Sequence, residues 1–126
     1  MAGSRFSLVL SLTARADIAA IHRYTIRIHG REAAKAYGRL FRQAFRDIRD
    51  DPLGPESRLR PEIGPSVRSY HISLSRVRAG SAVKRPRHFI FYSLLAEDRI
   101  GVSRVLHDSQ DFARHFPDFG ESSEGA

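Results

Sequence analysis

Residues 16–50 read ADIAAIHRYTIRIHGREAAKAYGRLFRQAFRDIRD, and this segment has a clear helical pattern from which the fold can be inferred. Its apolar side chains recur every three or four residues on both sides of Gly30, which is the spacing of an amphipathic helix. The apolar positions are Ile18, Ile21, Tyr24, Thr25 and Ile28 before the glycine, and Ala33, Tyr37, Leu40, Phe41, Ala44 and Ile48 after it. Because glycine often ends a helix, the pattern predicts helices over residues 16–29 and 31–50, joined into an antiparallel hairpin.

Alternating patterns outside this hairpin predict four β-strands. The first covers residues 6–12 and is followed by Thr13, the expected N-cap of the first helix, with Asp17 near the positive end of the helix dipole. The other strands cover residues 67–76, 89–95 and 99–107. The sequence therefore predicts an α+β fold in the order β-α-α-β-β-β, with the helical hairpin packed on a small, mainly antiparallel sheet.

Two of the strand patterns also predict burial. Residues 89–95 are apolar on both faces, so this strand is expected to be central in the sheet. In the last strand, one face is expected to carry Ile100, Val102, Arg104 and Leu106. An arginine among apolar side chains must extend to solvent, form a pair or open onto a site.

The remaining segments are typical of loops. Residues 51–65 contain four prolines, which predict an ordered loop without helix or strand. A turn within residues 76–88 is expected to form an arginine-rich hairpin, and a short helical turn is expected over residues 110–115. We therefore expect one domain over residues 1–116 and a disordered acidic tail over residues 117–126.

Composition narrows the classes of function. The chain has 126 residues, no cysteine and a formal net charge of +7. Disulfides, iron–sulfur clusters, zinc–cysteine sites and thiol nucleophiles are excluded. No apolar run approaches the ~20 residues of a membrane span, so a cytoplasmic protein is expected. Residues 1–107 hold 20 basic and 9 acidic residues, mostly with arginine as the base, which favours an anionic partner such as nucleic acid or an acidic protein segment.

Several short motifs occur in an order and at spacings that resemble one protein family. They are LTARADI at residues 12–18 with Ile21 and Tyr24, then Gly30, Ala33, Ala34 and Tyr37, then Pro52 and Gly54, VRSY at residues 67–70, FIFY at residues 89–92, and RVLH at residues 104–107 with Asp111. Over residues 8–116 the chain resembles the ParE toxins of bacterial type II toxin–antitoxin modules, within the RelE/ParE superfamily. It departs from that pattern in the longer arginine-rich segment 76–88 and in the acidic tail.

The resemblance implies a toxin that binds DNA gyrase, or a related type II topoisomerase, and so blocks DNA replication and growth. Such a protein is an inhibitor and not an enzyme, and modules of this kind stabilise plasmids. The resemblance also implies a cognate ParD-like antitoxin that neutralises the toxin and carries the DNA contact for the pair. No cofactor, metal or membrane partner is expected.

The same superfamily implies an alternative, a ribosome-dependent mRNA endonuclease of the RelE type. Cleavage of RNA through its 2′-hydroxyl needs an acid, a base and cations. Candidate cations are Arg68, Arg76, Lys84, Arg85, Arg87 and Arg104, and candidate proton-transfer groups are His71, His88, His107, Tyr70 and Tyr92. However, the RelE pattern of paired lysines and a C-terminal tyrosine is not evident, which favours the inhibitor. A third interpretation is a module whose fold persists after toxicity is lost.

Arginines are the residues expected to bind the target or the antitoxin. They are Arg68, Arg76, Arg78, Arg85, Arg87 and Arg104, with Arg68 the first choice. Arg68 and Arg104 could instead form structural ion pairs, for which the candidate carboxylates are Glu62, Asp108 and Asp111.

Two further groups have both a structural and a functional interpretation. His107 closes a strand and is expected to bond to Asp111 at the exit from the sheet, whereas convergence with His71 and His88 would make a metal site. The second helix carries a basic stripe of Lys35, Arg39, Arg42, Arg46 and Arg49, with Arg46 and Asp50 spaced for an ion pair. This stripe is either a solvated face or a dock for an acidic antitoxin segment or DNA.

Overall fold

A computed structural model describes residues 5–116 of the chain, so the expected acidic tail lies outside the described residues. The strands are β1 (Ser7–Leu10), β2 (Arg58–Leu59), β3 (Arg68–His71), β4 (His88–Ala96) and β5 (Arg99–His107). The α-helices are α1 (Leu12–His29), α2 (Arg31–Asp50) and the short α3 (Arg76–Ala79). Two 3₁₀ turns cover Ile72–Ser75 and Phe112–His115, and the second agrees with the helical turn expected near the end of the domain.

The predicted helical hairpin is present, but its first helix begins earlier than expected. Ser11, not Thr13, is the N-cap, because its side chain accepts a hydrogen bond from the Ala14 amide at 2.9 Å. Leu12 is therefore helical and 85% exposed instead of ending a strand. Gly30 separates α1 from α2 at φ 95°, a conformation that L side chains rarely adopt, and its amide donates to Thr25 and Ile26 carbonyls.

The five strands form one mixed sheet in the order β1-β5-β4-β3-β2. β1 runs parallel to β5, and the other neighbours are antiparallel. β4 lies in the middle, as its two apolar faces predicted. The two-residue strand β2 lies in the proline-rich segment for which no strand was expected.

The strand expected over residues 67–76 is wrong after His71. There the chain turns, because the Nδ1 atom of His71 accepts the Ser73 amide, and a 3₁₀ turn and α3 follow. Ser75 is buried and donates to the Asp47 carboxylate of α2 at 2.6 Å, which draws this segment onto the helix. Residues 76–87 are consequently a short helix and a loop, and residues 76–88 do not form the expected arginine-rich hairpin.

The sheet has an apolar core on each face. On the helical face, the core cluster includes Leu40 and Ile48 of α2 and Ile90 and Tyr92 of β4. On the opposite face, the cluster comprises Ile63, Val67, Phe91 and Leu106, with Phe89, Phe112 and Phe116 packed against it. The domain therefore covers both faces of its central strand.

An irregularity in β5 changes the predicted face of that strand. The register with β4 shifts where Phe91 pairs with Arg104 and Tyr92 pairs with Val102. As a result, Val105 joins Val102 in the helical-face core, whereas Leu106 lies in the opposite core. The expectation that Leu106 shares a face with Ile100 and Val102 is therefore wrong.

Candidate functional site

Two concave surfaces flank the helical hairpin. One, which we call the basic groove, has a volume of about 740 Å³ and runs along α1 and α2. The other, which we call the histidine cleft, has a volume of about 1000 Å³ and lies between the hairpin and the residue 82–88 loop. Both are large enough to hold several side chains of a partner or a small molecule.

The basic groove combines an apolar floor with a cationic rim. Its floor includes Leu10, Ile18, Ile21, Phe41 and Phe45. Its rim carries Arg15, Lys35, Arg39 and Arg42, and none of the described residues that line it is acidic. Three of these cations belong to the basic stripe predicted on α2, whose five members are all exposed. Within the stripe, Lys35 pairs with Glu32 at 3.7 Å, and the side chain of Arg46 bonds to Gln43 at 3.3 Å.

The histidine cleft joins an apolar wall to a polar end. The wall includes Ala20, Ile21, Tyr24, Ala33, Ala36 and Val83. The polar end carries Tyr37, Lys84, Arg87, His88 and His107. These side chains come from α2, from the loop before β4, and from one end of β4 and β5, where His88 pairs with His107 in the sheet register.

Asp108 organises the charges beside this cleft. Its carboxylate accepts hydrogen bonds from Arg87 Nε at 2.9 Å and His71 Nε2 at 3.1 Å. A salt bridge of 2.8 Å joins Arg87 Nη2 to the same group. These hydrogen bonds, the one from Arg87 foremost, lower the pKa of Asp108 to about 2. Asp108 therefore stays ionised and ties the ends of β3, β4 and β5 together.

His88 is held neutral in a partly buried position. Desolvation by burial, reinforced by the neighbouring His107, lowers the pKa of His88 to about 4. Its Nδ1 atom lies 2.7 Å from the Tyr37 hydroxyl, which also accepts the Arg87 amide at 3.0 Å. The His88 ring packs edge-on against Tyr37 and His107.

His107 closes β5, but its contacts differ from those expected. Its Nδ1 atom accepts the Ser109 amide at 3.1 Å, and its own amide donates to the Gln110 side chain at 2.7 Å. The expected bond to Asp111 is absent from the described contacts of this histidine, whose carboxylate neighbour is Asp108 at 3.7 Å. Ser109 and Gln110, and not Asp111, therefore hold His107 at the end of β5.

Among residues 5–116, no three His, Asp or Glu side chains are placed to hold a metal ion. His71 uses both ring nitrogens, one on Asp108 and the other on Ser73. His88 and His107 lie side by side without a carboxylate between them. The three histidines predicted as possible ligands therefore meet through Asp108 and ring packing. The same described range contains no helix with the length and apolarity needed to cross a membrane.

Comparison with known proteins identifies a matching family and a solved structure with the same fold. The family described as "ParE toxin of type II toxin-antitoxin system, parDE" matches residues 8–112. This chain belongs to the ParE toxin family. A solved structure titled "Chromosomal ParDE TA system from P. aeruginosa" shares the fold, with a TM-score of 0.57 and 20% identity over 82% of this chain and 96% of that chain. No relative of curated function matches the sequence. The protein is thus a ParE-type toxin of a ParDE toxin–antitoxin module, and such a module implies an antitoxin partner.

In this ParE chain, two of the predicted contact arginines hold the fold together. Arg104 forms two hydrogen bonds with Asp17 of α1, at 2.8 and 2.9 Å, and also donates to the His115 carbonyl at 2.6 Å. Arg68 donates to Ser57 Oγ at 2.7 Å and to the Gly54 carbonyl at 3.4 Å. Neither arginine pairs with Glu62, Asp108 or Asp111, the carboxylates expected for them; Glu62 lies 3.5 Å from Arg60.

The four other predicted arginines of the ParE chain are divided by their contacts. Arg76 donates to the Val83 carbonyl, and Arg78 bridges Asp47 and Glu56 at 3.0 and 3.2 Å. Arg87 holds Asp108. Arg85 is exposed and has no polar contact with any residue in the described range, and neither does its exposed neighbour Lys84. The structure therefore leaves one predicted arginine fully available to a partner.

Three important residues were not predicted in their observed roles. Asp17 was expected to act on the helix dipole, yet it binds Arg104 and accepts the Val105 amide at 2.9 Å. Tyr37 was expected in the apolar stripe, yet its hydroxyl links Arg87 to His88. Asp108 was a candidate partner for Arg68 and Arg104, yet it pairs with Arg87. The repeated pattern His-X-Ser, at His71 and His107, is the sequence signal that could have indicated the two strand ends.

Proposed function

We propose that this toxin acts in the cytoplasm by binding DNA gyrase or a related type II topoisomerase, and that a ParD-like antitoxin neutralises it. The family match over residues 8–112 carries this proposal. DNA contact by the pair is assigned to the antitoxin.

The basic groove supports neutralisation by an acidic segment. An amphipathic helix can place apolar side chains on a floor of aliphatic and aromatic residues while its carboxylates meet the surrounding cations. The groove supplies such a floor, and the cationic side chains of Arg15, Lys35, Arg39 and Arg42 surround it. Because no acidic residue of the described range lines it, an acidic helix meets no repulsion there.

Four of the residues that could cleave RNA, two tyrosines and two arginines, are buried or already paired, which supports inhibition by binding. Tyr92 is 1% exposed and donates to the Pro52 carbonyl at 2.6 Å, and Tyr70 is 3% exposed beside Ser75. Burial raises the pKa of each tyrosine, which disfavours a phenolate base. Arg68 and Arg104, the central candidate cations, are occupied by Ser57 and Asp17.

Expression of the toxin alone in a bacterial host tests this function. We expect growth arrest with filamentation and a DNA-damage response, while bulk mRNA stays intact. We expect coexpression of the cognate ParD-like antitoxin to restore growth. Codon-positioned cleavage of mRNA within minutes of induction would support the endonuclease instead, and arrest that the antitoxin does not relieve would contradict neutralisation.

A further inference from the structure

We propose that the polar end of the histidine cleft binds the phosphate of a mononucleotide, through His88 and His107 with Lys84 and Arg87. This binding activity is additional to topoisomerase inhibition and does not depend on it. Five nitrogen-bearing side chains line this cleft of about 1000 Å³, and four of them, Lys84, Arg87, His88 and His107, belong to the loop before β4 and to the paired ends of β4 and β5. The site thus has separate places for an anion and for an uncharged ring system.

The contacts of His107 fix which of its ring nitrogens carries a proton. Because the Ser109 amide donates to Nδ1 at 3.1 Å, the neutral ring carries its proton on Nε2. Nε2 has no hydrogen-bond partner among the described residues, and the side chain, 37% exposed, lines the cleft. His107 therefore presents a free N–H donor at the polar end.

The contacts of the neighbouring His88 also bear on which of its ring nitrogens carries the proton. The Tyr37 hydroxyl accepts the Arg87 amide, so its own proton is available to donate to His88 Nδ1 at 2.7 Å. With the Tyr37 hydroxyl as the donor, the neutral ring carries its proton on Nε2, which has no partner in the described range. Every fully buried side-chain nitrogen or oxygen of that range has a partner, so the unpartnered His88 Nε2 is not fully buried. The two rings lie 5.3 Å apart and form a pair of N–H donors.

Charges around these donors favour a phosphate. Lys84 makes no polar contact with the described residues, and Arg87 retains a positive guanidinium although Asp108 shares it. One carboxylate lines the cleft, that of Glu32, and it pairs with Lys35 at 3.7 Å. Asp108, beside the cleft, is already bound by Arg87 and His71. A phosphate monoester, with up to two charges and three acceptor oxygens, can use all four donors, whereas a single carboxylate has only two oxygens.

The wall of the cleft favours a nucleotide over a free phosphate. Ile21, Ala33, Ala36 and Val83 provide an apolar surface, and Tyr24, 52% exposed, provides an aromatic ring. Nucleobases stack on exposed aromatic side chains of this kind. A mononucleotide can therefore reach the wall while its phosphate stays at the histidine pair.

Nuclear magnetic resonance of the histidine rings in the full chain tests the proposal. The ¹⁵N–¹H signals of the imidazoles are followed during titration with AMP, adenosine and inorganic phosphate, each at constant pH and ionic strength. We expect saturable shifts at His88 and His107 with AMP, at an affinity at least tenfold above that for adenosine or inorganic phosphate. No saturable shift with AMP would overturn the proposal, and equal affinity for inorganic phosphate would overturn the assignment of a nucleotide.

Substitutions locate the site and keep the test independent of folding. Lys84→Ala changes an exposed side chain, so it should preserve the fold and weaken AMP binding several-fold, and His107→Gln should weaken it at least tenfold. His22→Gln is the matched control, because His22 lines the basic groove and not the cleft. Unchanged AMP affinity in both Lys84→Ala and a folded His107→Gln protein would overturn the proposed site.

Discussion

Arg104 forms an ion pair within the fold, which is one of the two interpretations that its sequence position left open. Its guanidinium and the Asp17 carboxylate are 19% and 13% exposed, and they connect β5 to α1 across 87 positions of sequence. Asp17 also fixes the Val105 amide just after the irregular register of β5. We therefore assign Arg104 to stability and not to partner contact.

Replacement of Arg104 tests this assignment. Arg104→Ala leaves the Asp17 carboxylate without its cation in a mostly buried place, so we expect a loss of about 3 kcal/mol in the free energy of unfolding. Urea denaturation measures it, with Arg99→Ala, at an exposed position, expected to change stability by less than about 0.5 kcal/mol. An Arg104→Ala protein of full stability that no longer binds its target would reverse the assignment.

His88 makes a prediction about pH. The pKa of His88 is about 4 in the folded chain, whereas the ordinary histidine value of 6.5 applies in the unfolded chain. Between these two pH values, the unfolded state therefore binds a proton that the folded state does not bind. Above pH 6.5, this histidine does not change the free energy of unfolding with pH. As pH falls from 6.5 toward 4, the free energy of unfolding decreases by at most about 1.4 kcal/mol per pH unit.

The variant His88→Phe isolates this effect, because it keeps a ring against Tyr37 and Phe41 and removes the titration. We expect the free energy of unfolding, measured by urea titration from pH 5 to 7, to depend less steeply on pH in the variant than in the parent. Identical slopes would show that His88 does not titrate differently on folding.

At the scale of elements, the basic groove should control antitoxin binding. Arg39→Glu with Arg42→Glu reverses two rim charges on exposed positions of α2, and we expect the affinity for the ParD-like antitoxin to fall at least tenfold. Calorimetry or surface plasmon resonance measures the affinity. Arg99→Glu with Arg114→Glu is the matched control, since it makes the same change of net charge outside both concave surfaces. Equal losses in the two double variants would indicate net charge and not the groove.

The hydrophobic pattern of the sequence predicted the elements whose structure depends mainly on nearby residues. The boundaries of α2 and β5 agree with the sequence, although an irregular register within β5 changed which face Leu106 occupies. The segment after His71 also alternates, but Ser75 bonds to Asp47, 28 positions away, and the chain coils instead. A contact across that distance has no signature in the segment itself.

The candidate site was also predicted only in part. The sequence identified the histidines, the arginines and the basic stripe, but it could not decide which of them point at one another. Asp17 and Arg104, or Tyr37 and His88, become neighbours only once the hairpin packs on the sheet. Consequently, four predicted contact arginines bind side chains of this chain, and Arg85 stays exposed with Lys84 beside it.

At the scale of the whole molecule, the chain is a sheet with both faces covered and a helical hairpin that has a concave surface on each side. Its family is shown by the match over residues 8–112. Beyond that match, we propose that the toxin acts by binding a type II topoisomerase.

Supercoiling of relaxed plasmid DNA by purified gyrase tests that claim most directly. We predict that the purified toxin inhibits supercoiling in proportion to its concentration, that equimolar antitoxin removes the inhibition, and that Lys84→Ala with Arg85→Ala weakens it without loss of stability. Topoisomerase IV, assayed in parallel, identifies the related enzyme if that is the target. Full activity of both enzymes in the presence of excess folded toxin, together with cleavage of ribosome-bound mRNA, would show that the toxin acts on mRNA and not on a topoisomerase.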